Sequence, residues 1–126
     1  MLLTPTIVLD SVLDINKKLL DEYGIKGLIL DLDNTLAKHG SPEPEKGVAC
    51  WVEEMKKSGI SMVIVSNNRE ERVRPFAENL GLDFVWGGKK PLASGFKKAR
   101  EKMGLEFDEI AIVGDQLFTD MLGANI

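Results

Sequence analysis

Three short apolar runs, residues 27–32, 60–65 and 109–113, each stop on small or acidic polar residues, and stretches of helical period lie between them. That alternation most constrains the fold. Runs of strand length without strict polar alternation suit strands buried on both faces, and amphipathic helices between them give a parallel sheet covered on both sides. A brief run at 83–86 adds a fourth strand. The expected architecture is α/β, with three layers in one domain. At 126 residues the chain is long enough to bury a core and too short for two domains. Residues 1–24 are expected to form an N-terminal segment and helix, and residues 25–126 the core.

The connections can be outlined in the same way. Asp10 or Asp14 can cap a helix running to Tyr23, with Gly24 as its stop. Residues 37–45 hold Gly40, Pro42 and Pro44 and form a loop. A helix over 45–57 presents Val48, Trp51, Val52 and Met55 on one face. Asn68 can cap the next helix, whose stripe is Val73, Phe76, Ala77 and Leu80, and Pro75 within it predicts a kink or a restart. Pro91 opens a helix carrying Leu92, Phe96, Ala99 and Met103, and a last helical start is expected over 117–122.

Composition narrows the function. A net charge of -4 argues against a nucleic-acid-binding face, leaving only a local basic patch at Arg69, Arg72 and Arg74. No basic segment followed by a long apolar stretch opens the chain, so a cytoplasmic protein is expected. The single cysteine, Cys50, lies among Val48, Trp51 and Val52 and is expected to be a small buried hydrophobe.

In parallel sheets ligands bind beyond the carboxyl ends of the strands. Asp31, Asp33, Ser66, Lys90 and Asp115 all fall at or just after such ends. Taken singly, Ser66 suits a helix cap, Lys90 a surface lysine and Asp115 a turn; the weight lies in their joint placement. In extended geometry Asp31, Asp33 and Thr35 would share a face, the two acids roughly 6–7 Å apart. Like charges 4 Å apart cost roughly 4 kcal/mol at an effective dielectric near 20, so the site calls for a cation, a shared proton or both. A calcium loop does not fit, because Leu36 and Pro42 stand where glycine and glutamate are needed. Oxygen donors with no histidine or cysteine cluster suit Mg²⁺ and a phosphoryl group. The single histidine, His39, belongs to the loop and is expected to be exposed and non-catalytic.

The ordered set Asp31-Leu32-Asp33-Asn34-Thr35, Ser66, Lys90-Pro91 and Gly114-Asp115 through Asp120 resembles the four motifs of the haloacid dehalogenase (HAD) superfamily. Its wording is most similar to subclass IIIA phosphatases, and among them to bacterial relatives of mitochondrial phosphatidylglycerophosphate phosphatase. The resemblance implies a Rossmann-like fold and a Mg²⁺-dependent phosphomonoester hydrolase working through an aspartyl-phosphate. Asp31 would be the nucleophile, and Asp33 would protonate the leaving group and then deprotonate water. Ser66 and Asn67 would bind the phosphoryl oxygens, and Lys90, or its neighbour Lys89, would balance charge. Asp31, the Asp33 carbonyl and Asp115 would hold Mg²⁺, with Thr35 fixing the loop and Asp120 orienting Asp115.

Spacing bears on the substrate. Only 32 residues lie between Asp33 and Ser66 and 23 between Ser66 and Lys90, and the expected elements consume nearly all of them. No cap domain is expected, so the site is open and suits a phosphate on something large. A lipid phosphate such as phosphatidylglycerophosphate is the leading expectation, with peripheral membrane contact and no nucleic acid. A fold of this kind normally continues past Ile126 into another strand, so a C-terminal truncation is one expectation. Cover of residues 110–113 by the N-terminal segment or by another protomer is the other, which would make a homo-oligomer. The competing readings are a receiver-like module phosphorylated on aspartate and an inactive scaffold of the same fold.

Overall fold

The structure, a computed structural model, describes residues 7–87, 92–114 and 117–120. Ten elements organise it: β1 (Ile7–Val8), α1 (Lys17–Glu22), β2 (Gly27–Leu30), α2 (Val48–Lys57), β3 (Ser61–Ser66), α3 (Glu70–Leu80), β4 (Asp83–Trp86), α4 (Leu92–Met103), β5 (Ile110–Gly114) and β6 (Leu117–Asp120). The strands form one sheet in the order β1-β6-β5-β2-β3-β4. The four strands β5, β2, β3 and β4 run parallel, and β6 and β1 add antiparallel pairings at one side. The α/β architecture with a central parallel sheet is as expected.

Alternation along each strand sorts the core into two halves. Leu28 and Leu30, Met62 and Ile64, and Ala111 and Val113 pack with Leu20 of α1, Trp51, Val52 and Met55 of α2, and Val73, Phe76 and Ala77 of α3. Ile29, Val63, Val65 and Val85 pack on the opposite face with Phe96, Ala99 and Met103 of α4. The sheet is thus sandwiched between helices, making three layers. On the α4 side the approach is close at Gly95: a Cβ there would lie 2.8 Å from Val65 Cγ1, so glycine is what lets helix and sheet meet. Among the described residues β2 and β3, and β3 and β4, are joined by loops with a single helix each, with no inserted cap.

Local side-chain chemistry moved several boundaries. Neither Asp10 nor Asp14 caps the helix expected to run to Tyr23: Ser11 caps a short 3-10 turn, Val12–Asp14, and Asn16 caps α1, its Oδ1 accepting from Leu19 N at 2.8 Å. Serine and asparagine offer the backbone local partners that compete with a continuous helix. Trp51 Nε1 donates to the Ile15 carbonyl at 2.8 Å and fastens this segment to α2. The helix α2 starts at Val48 rather than 45, after Gly47 at φ 89°. Asn68 does not cap α3; Arg69 holds the cap position without a side-chain bond. No restart occurs at Pro75: α3 runs through it, because only the bond from residue 75 to the Glu71 carbonyl is forfeited while the apolar stripe stays packed. Cys50 is exposed, not buried, since it lies about 150° around the helix from the centre of the Val48–Trp51–Val52–Met55 stripe.

The largest departure is at the end of the chain. Residues 117–120 form a strand, not a helix, and pair with β5 from Gly114↔Leu117 to Ala111↔Asp120. The β5 side that was expected to lie open is taken by β6, and β1 pairs in turn with β6 through Ile7↔Phe118. Unpaired edge groups favour such pairing.

Candidate active site at the carboxyl end of the sheet

The parallel strands bring their carboxyl ends to one edge. Leu30 lies level with Ile64 and Val113, so Asp31, Ser66 and Gly114 all emerge on the same side of the sheet. There β2 gives way to a tight turn. Asp31 N still donates to the Val113 carbonyl at 3.0 Å, and then the amides of Thr35, Leu36 and Ala37 all converge on the Leu32 carbonyl. Asn34 takes the left-handed conformation at φ 65°, which asparagine tolerates better than most residues. Leu32 and Leu36 are fully buried and anchor the turn in the core. Strand alternation therefore stops at Leu30, and the shared face expected for Asp31, Asp33 and Thr35 gives way to this turn geometry.

The two acids meet different surroundings. Asp31 is exposed, and its Oδ1 accepts from Leu32 N at 2.8 Å. Asp33 is largely enclosed and accepts three donors. Its Oδ1 takes Gly40 N at 2.9 Å and Arg72 Nη2 at 2.8 Å, and its Oδ2 takes Asn68 Nδ2 at 3.3 Å. Burial pushes the Asp33 carboxyl up, but the Arg72 bond, the Gly40 amide, the Arg72 charge and the Asn68 amide together hold it below the ordinary carboxylate range. The cation that two neighbouring acids call for is thus supplied, within the described residues, by Arg72.

Ser66 closes β3. It is buried, and its Oγ accepts from Asn68 N at 3.1 Å. Asn68 in turn accepts from Arg69 N at 2.9 Å through Oδ1 and reaches Asp33 through Nδ2, so the loop after β3 is tied to the loop after β2. Asn67 is exposed beside it. The Thr35 hydroxyl is buried without a hydrogen-bond partner among the described residues, so only its backbone amide visibly serves the turn. His39 is exposed, as expected. Lys89, Lys90 and Asp115 lie outside the described residues. The backbone of Asp120 sits opposite Ala111, three residues back from the end of β5.

The structure therefore brings Asp31, Asp33, Ser66 and Asn67 to one edge and adds three groups that sequence reasoning did not assign to the site: Arg72, Gly40 and Asn68. A signal existed for the first, since Arg72 stands in the local basic patch at 69–74. Asn68 was visible only as a helix cap, and nothing in the sequence marked the Gly40 amide.

Hard oxygen donors are what Mg²⁺ requires. Asp31 offers an exposed carboxylate, whereas the Asp33 carboxylate is committed to Arg72, so that only its backbone carbonyl could serve as a ligand. Among the described residues no group of three acidic, histidine or cysteine side chains could hold a metal. Waters and substrate oxygens ordinarily complete the shell of such an ion, and Asp115, the remaining donor expected from the sequence, follows directly on β5.

Comparison with known proteins agrees with this fold. The family model for haloacid dehalogenase-like hydrolases matches residues 43–125. The chain is 42% identical over 115 residues to a protein named probable phosphatase YqeG from Bacillus subtilis (strain 168), covering 91% of this chain and 67% of that one. Among solved structures, 3-deoxy-D-manno-octulosonate 8-phosphate phosphatase from Moraxella catarrhalis, in complex with magnesium, phosphate and sugar, superposes with a TM-score of 0.57 at 21% identity, over 79% of this chain and 63% of that one. The cobalt-bound form of the corresponding Haemophilus influenzae phosphatase gives a TM-score of 0.59 at 16% identity, over 73% and 59%. At such identities these structures speak to the fold alone. The chain belongs to the haloacid dehalogenase-like hydrolases and is an enzyme of their phosphatase kind.

Proposed function

We propose that the enzyme hydrolyses phosphomonoesters in two steps through an aspartyl-phosphate on Asp31. The observation that carries this reading is the contrast between the two acids, one exposed at the strand end and the other enclosed by three donors. An Asp31 carboxylate oxygen attacks phosphorus as the bond to the leaving oxygen breaks, and Asp33, whose protonation the charges of Asp31 and of the arriving phosphate favour, gives that oxygen its proton. In the second step Asp33 takes a proton from water as the water oxygen attacks the aspartyl-phosphate, and inorganic phosphate leaves. Ser66, Asn67 and amides at the start of α3 bind phosphoryl oxygens, and Lys90 balances their charge. Asp31, the Asp33 carbonyl and Asp115 would hold Mg²⁺, whereas Asp120, opposite Ala111, lies back from this edge. The ion would mask the repulsion between a carboxylate and a phosphate dianion.

The decisive test is Asp31→Asn. It should abolish phosphate release from p-nitrophenyl phosphate with an unchanged melting temperature, and removal of divalent cations by a chelator should silence the native enzyme until Mg²⁺ is restored. Undiminished turnover in the Asn variant would sink the assignment. A long-lived aspartyl-phosphate without turnover would favour the receiver-like module instead.

For the substrate, we infer a phosphate carried on a large group, with a lipid such as phosphatidylglycerophosphate as the leading choice. The single-helix connections from β2 to β3 and from β3 to β4, with no inserted cap among the described residues, support it. Assays on that lipid in vesicles beside soluble sugar phosphates decide the matter. A clear preference for the sugars counts against the lipid.

A further inference from the structure

Asp33 is asked to pass a proton in both directions, yet its two oxygens are held very unequally. Oδ1 receives two strong donors, Gly40 N at 2.9 Å and Arg72 Nη2 at 2.8 Å, whereas Oδ2 receives one long bond from Asn68 at 3.3 Å. A proton cannot reside comfortably on an oxygen that already accepts a charged and a backbone donor. The guanidinium is itself fixed. Its Nη1 donates to the Ser41 carbonyl, the Arg72 carbon Cζ lies 5.6 Å from the centre of the Phe76 ring, and only 14% of the Arg72 side chain is exposed. Arg72 thereby fastens three pieces of chain to one another: the turn carrying Asp33, the loop at Gly40–Ser41, and α3.

We propose that Arg72 is the positioning residue of the proton-transfer step. It anchors Asp33 through Oδ1, and so leaves Oδ2 as the oxygen that gives a proton to the leaving group and takes one from water. In the first step the proton on Oδ2 moves to the departing alkoxide oxygen as its bond to phosphorus breaks and the bond from the Asp31 oxygen to phosphorus forms. In the second, a water proton returns to Oδ2 as the water oxygen bonds to phosphorus and the bond from the Asp31 oxygen to phosphorus breaks, freeing inorganic phosphate. Arg72 exchanges no proton and touches no reacting atom. The assignment rests on the two-step reading of the site.

Such a role has a signature that a purely structural one lacks. A nitrophenolate leaves without needing a proton, whereas an alkoxide needs one, so losing the position of Oδ2 should matter only for the second kind of ester. The experiment measures single-turnover phosphoryl transfer from p-nitrophenyl phosphate and from glycerol phosphate, in the native enzyme and in Arg72→Gln and Arg72→Lys. Transfer from glycerol phosphate should fall roughly 100-fold in Arg72→Gln and less in Arg72→Lys, with transfer from the nitrophenyl ester within about 3-fold of native. Equal losses on both esters, or no loss on either, overturn the proposal. Should Arg72→Gln fail to fold, Arg72→Lys, which keeps the charge but not the fork, carries the same comparison. If the native enzyme forms no Asp31-dependent phosphoryl-enzyme from either ester, the two-step reading falls and the Arg72 role with it. Equal losses in a chain that does form it remove Arg72 alone.

Discussion

Arg72 and Asp33 make a largely enclosed ion pair, their side chains 14% and 17% exposed, and this has a consequence for stability that is separate from catalysis. Burial disfavours the Asp33 carboxylate, yet its donors hold it below the ordinary carboxylate range. A group with a depressed folded value contributes stability that is fully present above its unfolded value, about 4, and is lost as pH falls through the folded value. In Asp33→Asn that contribution is gone. The variant should melt well below native at pH 7, and the gap should close as pH falls below about 4. Thermal melts across pH 2.5–7 check this, and parallel curves would show that the pair contributes nothing. The pair also shows what stayed hidden in the sequence. Two acids one residue apart announce a need for a cation, but the cation stands 39 residues away on another element, and only the folding of α3 against the turn reveals it.

At the scale of elements, the strands were legible because buried parallel strands are short apolar runs that end on polar residues. Helices α2, α3 and α4 were equally legible from their stripes. Misreadings gathered where short-range competition or long-range pairing decides. Ser11 and Asn16 broke the first helix into two pieces, and residues 117–120 answered the open side of β5 instead of their own helical pattern. The close approach of α4 to the sheet gives a test at this scale. Gly95→Ala gains up to about 1 kcal/mol of helix propensity, but its methyl meets Val65 Cγ1 at 2.8 Å, and overpacking against a stiff β-branched side chain costs about 1–3 kcal/mol. The variant should therefore be less stable by about 1 kcal/mol in urea unfolding. A gain in stability would mean that α4 shifts freely on the sheet.

Across the whole molecule, the parallel register does most of the work of assembling the site, since it alone brings Asp31, Ser66 and Gly114 to one edge from positions 35 and 48 residues apart along the chain. The turn that follows β2 adds a further consequence. Its acids ride on a loop whose fastening points, Leu32 and Leu36, are core residues, and whose closure runs through the carbonyls of Leu32 and Ala37. Truncating Leu36 to alanine should cost about 2–5 kcal/mol, and the same change slackens the segment that carries both acids. A random mutagenesis screen scored by turnover alone would therefore credit Leu36 with a chemical role. Only a parallel measure of folded protein per cell would return it to the interior, where its side chain lies.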